Sequence, residues 1–327
     1  MSLSPPSSPI HPALPALLLA ETLLAHRSNA LWTNTSSTPG VGGGSSSLQV
    51  PARCCRPKHA AALLQLKRSF TFTASSNGDC LSEYNPANTT LSSWIEGTYC
   101  CHWEGVACDC VSGSVTGLDL SSRSLGINGS SLHPALFSLT SLKYLVLDGN
   151  YFYGSHLPAS GFELLTRLEE LSLRFCGICG SNNFSGSGLS GQVPSLQNLS
   201  RLEFLDLSNN NLEENYLTMP VCTRNIPLGD GNVLRNLHSV YMSDNSFTGA
   251  IRASIFTQPA LEYLDLSCNH LSGHIEEFQN PSAVLKEIYL FNNNLSGAIP
   301  SSFSQFRAVT IINLSRNNFK GTLDLYP

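Results

Sequence analysis

Charge is scarce in this 327-residue chain, where only 13% of residues are Asp, Glu, Lys or Arg. The 18 basic residues do not outnumber the 23 acidic ones, and the net charge of −5 is mild. That balance argues against nucleic acid or an anionic membrane surface as the main partner. Long apolar runs are missing too. No stretch of 18 consecutive apolar residues occurs, so no transmembrane helix is expected. Ala13 to Ala25 is mostly apolar, but Pro15 and Glu21 interrupt it and no basic residue precedes it. Residues 1–26 therefore read as a degenerate signal-peptide-like segment. Catalytic signatures are absent as well: there is no G-x-S-x-G, no phosphate loop and no H-E-x-x-H, and the nine His residues show no ligand-like spacing. Cys176-Gly-Ile-Cys179 reads C-x-x-C, but no second pair at zinc spacing follows it. Cys108-Asp-Cys110 reads as a disulfide feature. The expectation is no enzyme, no metal and no cofactor.

What the sequence does have is a repeat. Leu261-Glu-Tyr-Leu264-Asp-Leu266-Ser-Cys-Asn269-His-Leu271-Ser-Gly273 recurs from Leu285 to Gly297 and again from Val309 to Gly321. Asn269, Asn293 and Asn317 are 24 residues apart. The template is L-x-x-L-x-L-x-x-N-x-L, the leucine-rich repeat. Leu264 and Leu266 alternate with polar neighbours, which predicts a short strand with one buried face. The chain must then turn inside the protein, where its backbone groups need partners. A buried Asn amide, with two donors and an acceptor, bridges such a turn and the next coil. Gly273, Gly297 and Gly321 suit a sharp bend. One coil cannot bury its own leucines, but a stack can.

Eight copies start at Val115, with ladder positions at Arg123, Asn150, Cys176, Asn210, Asn245, Asn269, Asn293 and Asn317. Arg123 suits an atypical end coil, and Cys is an accepted substitute for Asn in the template. The two long gaps, 34 and 35 residues, hold insertions at 179–188 and 213–231. These are either functional loops or scars of repeat loss. The predicted fold is an α/β solenoid: a right-handed superhelix with a concave parallel β-sheet, short turns or 3₁₀ segments on its convex side, and a disulfide-bonded helical N-terminal cap.

Ahead of the repeats, residues 27–53 are rich in Ser, Thr and Gly and read as a disordered linker. Residues 54–112 form the cap and 113–327 the repeats. Pro57 suits a first helical turn, and Leu63, Leu66 and Phe70 make one apolar face. Seven of the 11 cysteines lie between Cys54 and Cys110, a cluster that suggests a stapled cap in an oxidising compartment. Cys101 and Cys108 are seven apart, which allows a small closed loop. Seven N-x-S/T triplets, at Asn34, Asn88, Asn128, Asn183, Asn198, Asn294 and Asn313, support a secretory route. The alternative is that a chain rich in Asn and Ser makes such triplets by chance.

Two regions carry a family resemblance. Cys55 to Phe70, with Leu91-Ser-Ser-Trp94 and Cys100-Cys101-His-Trp103-Glu-Gly-Val106-Ala-Cys108-Asp109, resembles the N-terminal cap of plant leucine-rich-repeat receptors. Leu295-Ser-Gly297-Ala-Ile299-Pro300 resembles the plant extracellular repeat. Ala253 to Tyr326 is most similar to receptor-like proteins of the Verticillium-wilt and Cladosporium resistance type. The resemblance implies an ectodomain at the cell surface that senses a ligand and signals through partner kinases. It also implies pairing of Cys101 with Cys108 and of Cys55 (or Cys54) with Cys100. Cys80 and Cys110 are additional to the pattern. Relatives of this kind carry more repeats, a C-terminal cap and a membrane span, so the expectation is a truncated receptor.

The candidate site is the strand face, where variable residues flanking the inward leucines point away from the core. Tyr144, Val146 and Asp148 are followed by Glu170, Ser172, Arg174 and Phe175, then by Phe204 and Asp206. Later coils add Ser239, Tyr241 and Ser243; Tyr263 and Asp265; Glu287, Tyr289 and Phe291; and Ile311, Asn313 and Arg316. Of these, Tyr144, Arg174, Phe175, Phe204, Asp206, Tyr241, Tyr263, Asp265, Tyr289 and Phe291 are the candidate ligand contacts. Seven of the face residues are aromatic, and aromatic side chains are favoured interface anchors. The bland alternative is that Tyr and Phe are good strand formers. A glycan on Asn313 would obstruct this face, so the glycan acceptors are taken as Asn88, Asn128, Asn183, Asn198 and Asn294. The reading is recognition of a peptide, protein or glycan without catalysis. The rivals are a secreted inhibitor resembling polygalacturonase-inhibiting proteins, against which the two long gaps and the missing C-terminal cap argue, and a gene-model fragment with no independent function.

Overall fold

A leucine every two or three residues, recurring every 24 or so, has one economical solution: short strands stacked so that each coil buries its leucines against the next. The computed structural model shows this arrangement. It describes residues 55–72, 91–129, 131–152, 154–174, 188–194, 196, 198–214 and 235–322. The chain divides into two units at Pro51/Ala52, and the described residues all belong to the second.

In chain order, helix α1 (Pro57–Ser69) leads into β1 (Phe70–Phe72), and β2 (Val106–Cys108) follows a 3₁₀ turn at Cys100–His102. The coils then alternate between two sheets. The strands are β3 (Val115–Asp119), β4 (Leu125–Ile127), β5 (Tyr144–Val146), β6 (Glu170–Ser172), β7 (Ser190–Gly191), β8 (Phe204–Asp206) and β9 (Asn211–Glu214). They continue as β10 (Ser239–Tyr241), β11 (Ser246–Gly249), β12 (Tyr263–Asp265), β13 (His270–Gly273), β14 (Glu287–Tyr289), β15 (Asn294–Ala298), β16 (Ile311–Asn313) and β17 (Asn318–Lys320).

The long sheet runs β16-β14-β12-β10-β8-β6-β5-β3-β2. Eight of its nine strands are parallel, one per coil, and the cap's β2 closes the end antiparallel to β3. Register is in phase with the repeat: Tyr263 lies opposite Glu287, Leu264 opposite Ile288 and Asp265 opposite Tyr289. Leu264, Leu266, Ile288 and Leu290 are fully buried. Each such side chain contributes roughly 1.5–3 kcal/mol of transfer free energy. In the last described coil, Ile312 and Leu314 are half-buried.

The convex side departs from expectation. It holds 3₁₀ turns at Pro134–Ser138, Phe162–Leu164, Ala253–Thr257 and Ser301–Gln305, but also a second parallel sheet in the order β17-β15-β13-β11-β9-β7. Each of these strands is only two to five residues long. Five of them have a glycine with φ between +82° and +86° at or next to their last residue: Gly191, Gly249, Gly273, Gly297 and Gly321. At Gly297 a Cβ would also meet His274 Cβ at 3.0 Å, so the position requires glycine twice over. Behind the 3₁₀ turns, Phe256 packs on Phe278 and Phe303 with ring centroids 5.3 and 5.2 Å away, tying three coils together.

The cap is held by several independent links. Cys55 is bonded to Cys100, and Cys101 to Cys108. Trp94 stacks on Trp103 at 5.6 Å, and its indole N–H donates to Glu104 O at 2.9 Å. Lys67 Nζ donates to the carbonyls of Leu91 and Trp94 at 2.8 and 3.1 Å. His59 Nδ1 accepts the N–H of Val115 at 3.0 Å, joining the helix to the first repeat strand. Among the described cysteines, Cys110 and Cys268 are not in disulfides. Cys54 and Cys80 lie outside the described residues.

Candidate recognition face

The ladder amides fix each coil on the one before it. Asn150, Asn210, Asn245, Asn269, Asn293 and Asn317 all donate from Nδ2 to a carbonyl of the preceding coil. The acceptors are Leu120, Leu173, Leu207, Met242, Leu266 and Leu290, at 2.8–3.0 Å. Their Oδ1 atoms accept a backbone N–H from that same preceding coil, as Asn245 does from Leu212 at 3.0 Å. The bridge therefore reaches backward, where the sequence reading had it reach to the next coil. Arg123, in the first coil, plays a different part: its guanidinium pairs with Glu104 of the cap at 3.0 Å. Cys176 lies outside the described residues, as do residues 179–187 and 215–231 of the two insertions.

With the coils so fixed, the strand face is a set of rows running across the sheet. Phe204, Tyr241, Tyr263, Tyr289 and Phe291 are half-buried on it. Phe204 and Tyr241 contact each other with ring centroids 5.7 Å apart. Lys286 Nζ sits 5.6 Å over the Tyr263 ring. The Tyr289 hydroxyl donates to Glu287 at 2.9 Å, and the Tyr144 hydroxyl to Glu169 at 3.0 Å. Burial, and then the Glu169 carboxylate, push the Tyr144 phenol up to about 12. Tyr241 shifts upward too, through burial and the Asp206 carboxylate. These tyrosines are neutral donors at any physiological pH. Arg174 is half-buried beside Asp148, and Phe175 lies outside the described residues.

Asp206 is buried and Asp265 half-buried, and each has a carboxylate oxygen engaged within its own turn. Asp206 is 1% exposed, and its Oδ1 accepts both N–H and Oγ–H of Ser208, at 2.9 and 2.5 Å. Asp265 holds Ser267 in the same way at 2.9 and 2.6 Å, and Asp119 holds Ser121 at 3.0 and 2.6 Å. These carboxylates fasten the turn that leaves each strand. Burial raises the pKa of Asp206 and brings Asp265 to about 6. Asp148 is pushed up to about 7 by burial and by Asp206, and it accepts from Ser172 Oγ and Arg174 N at 2.7 and 2.9 Å. Glu170, Ser172 and Ser239 also lie on the face but are buried by their neighbours.

Of the sequon asparagines, Asn128, Asn198 and Asn294 are exposed. Asn313 is half-buried on the strand face, its Oδ1 accepting from Ser315 at 3.2 and 2.8 Å. Asn34, Asn88 and Asn183 lie outside the described residues.

Comparison with known proteins agrees with this architecture. A leucine-rich-repeat N-terminal domain matches residues 58–109, and leucine-rich repeats match 201–221, 260–281 and 284–306. Receptor-like protein 6 of Arabidopsis thaliana is 29% identical over 258 residues, 71% of this chain and 25% of its own length. This chain is a leucine-rich-repeat protein similar to plant receptor-like proteins. Receptor-like protein 9DC1 of Solanum pimpinellifolium is 31% identical over 236 residues, 66% of this chain and 26% of the relative. The chain thus matches about a quarter of the length of these two relatives. Among solved structures, the PEPR1–AtPEP1 complex superposes with a TM-score of 0.62 at 27% identity, covering 81% of this chain and 32% of that one. Both of these sequence relatives are named as receptor-like proteins. No helix among the described residues is long and apolar enough to cross a membrane.

Proposed function

We propose that this chain is the ligand-recognition portion of a plant cell-surface receptor-like protein acting in defence signalling. The signal passes to partner kinases. The observation that carries the reading is the run of half-buried aromatic side chains on one strand face, Phe204, Tyr241, Tyr263, Tyr289 and Phe291, over coils whose leucines are wholly buried. A leucine-rich-repeat stack needs none of these rings for its core, and rigid amphipathic aromatics are what interfaces favour. The ligand is a peptide, protein or glycan bound by surface complementarity. The superposable PEPR1 structure is a complex with AtPEP1, which supports this reading.

The exposed sequons at Asn128, Asn198 and Asn294, together with the disulfide-bonded cap, support an extracellular location. Digestion of the plant-expressed protein with a peptide-N-glycosidase should lower its mass, and site-by-site Asn→Gln replacement should assign the loss to these positions. The binding test is a screen of the full chain on peptide and glycan arrays. A ligand so found should lose tenfold or more in affinity to Tyr263→Ala or Tyr289→Ala, and nothing to Ser296→Ala on the second sheet. A ligand whose affinity ignores all the face substitutions would overturn the assignment.

A further inference from the structure

Two carboxylates on the aromatic part of the strand face make no ion pair among the described residues, though Lys286 adjoins one of them, Glu287. Glu203 stands on the rim, one residue before β8, and Glu287 opens β14; both are half-buried. The cations nearby are already engaged. Lys286 pairs with Glu262 at 2.6 Å and Lys143 with Glu169 at 2.9 Å. Among the described residues no basic side chain pairs with Glu203 or Glu287. Next to Glu203 on the rim, His238 donates its backbone N–H to Glu203 O at 2.7 Å, and its buried Nδ1 has no hydrogen-bond partner. Glu287 is held by the Tyr289 hydroxyl.

From this geometry we infer that the face binds an extended peptide carrying two basic residues about four positions apart, one seated on Glu203 and the other on Glu287. The inference rests on the reading of the strand face as the binding surface and adds the chemistry of its ligand. β8, β10, β12 and β14 are consecutive in the sheet, so three inter-strand spacings, about 14 Å, separate the two carboxylates. An extended chain advances about 3.3 Å per residue and covers that distance in four steps. Tyr241 and Tyr263, half-buried on the two strands between, lie under the intervening residues. Covering two half-buried carboxylates with an anionic ligand, or with a neutral sugar, would strip their water without returning a counter-charge. A basic segment returns it at both ends, and its approach is assisted by the field of the surface.

The test uses the full glycosylated chain immobilised on a biosensor and a series of synthetic twelve-residue peptides. One has two lysines four positions apart with tyrosine or proline between them. The controls place the lysines side by side, or replace both by Gln or by Glu. The spaced dilysine peptide should bind at least tenfold more tightly than any control, and should weaken as salt is raised from 50 to 300 mM. Glu203→Gln and Glu287→Gln should each lower its affinity fivefold or more, while leaving the Gln peptide unchanged. Retention that requires lysine but ignores spacing would overturn the two-seat geometry. Retention that ignores charge, yet is lost with Tyr263→Ala, would overturn the basic-ligand inference and leave the recognition face standing. Absence of any retention, or retention that no face substitution moves, would overturn both.

Discussion

The side-chain oxygen of Asn269 accepts the backbone N–H of Phe247 at 3.1 Å, across the boundary between two coils. The same amide donates to Met242 O at 3.0 Å in that preceding coil and to Leu266 O at 3.2 Å in its own. Asn269 is 6% exposed, so water cannot replace it. Asn269→Ala should deprive one donor and three acceptors, Ser267 O included, of this partner and destabilise by about 3 kcal/mol. Asn317→Ala makes the equivalent deletion in a half-exposed coil and should cost about 1 kcal/mol. Urea unfolding of the two variants checks this; equal midpoints would show that burial does not set the value of the ladder.

Much of this was legible in the sequence because a 24-residue period leaves few ways to bury leucine. The inward residues of the long sheet, the stacked Asn amides and the apolar face of α1 at Leu63 and Leu66 all follow from spacing alone. The second sheet was not legible. Its strands, such as Ser190–Gly191 and His270–Gly273, are too short and too rich in glycine and serine to show alternation. Their pairing is imposed by the ladder, which sets each turn against the last. The capture of Asp206 and Asp265 by their own turns was missed for a different reason. Alternation says which way a side chain leaves the strand, not what captures it. The signal was present in Asp119-Leu-Ser121, Asp206-Leu-Ser208 and Asp265-Leu-Ser267: a serine two residues on in each coil, placed to hold the carboxylate.

The two cap disulfides should not contribute equally. Cys55 and Cys100 are 45 residues apart, Cys101 and Cys108 only seven. The chain-entropy relation gives about 4 kcal/mol for the longer loop and about 2.4 kcal/mol for the shorter. Paired Cys→Ala replacements, compared by thermal unfolding, should rank in that order. A larger loss from the short loop would mean that native packing around Cys101 outweighs chain entropy.

Stability should fall as pH rises toward neutrality. Burial lifts Asp265 to about 6 and Asp148 to about 7 in the folded chain, against about 3.9 when unfolded. The folded state therefore holds protons that the unfolded state has released. Their contribution is complete below about pH 4 and is lost as pH rises through 6 and 7. Asp265→Asn should flatten the part of this slope between about pH 4 and pH 6, worth about 3 kcal/mol between its ends. Urea midpoints from pH 4 to pH 8 measure it. A wild-type curve rising over that range would contradict the sign.

The residue before each ladder asparagine adopts a left-handed backbone, with Asn209, Asp244, Cys268, Asn292 and Arg316 at φ between +53° and +57° and Gly149 at +64°. Asn and Gly tolerate that conformation; Cys and Arg do so at a cost. Arg316 is exposed, so removing its side chain gives up little packing. Arg316→Asn should stabilise by roughly 0.5–1 kcal/mol, whereas Asn292→Val, which puts a β-branched residue in the same place one coil earlier, should destabilise by about 2 kcal/mol or more. Because the two positions share a backbone geometry and are both exposed, opposite signs in urea unfolding isolate the conformational term. Loss of stability in Arg316→Asn would show instead that the guanidinium makes a compensating contact, and that the turn is set by side chains and not by its backbone.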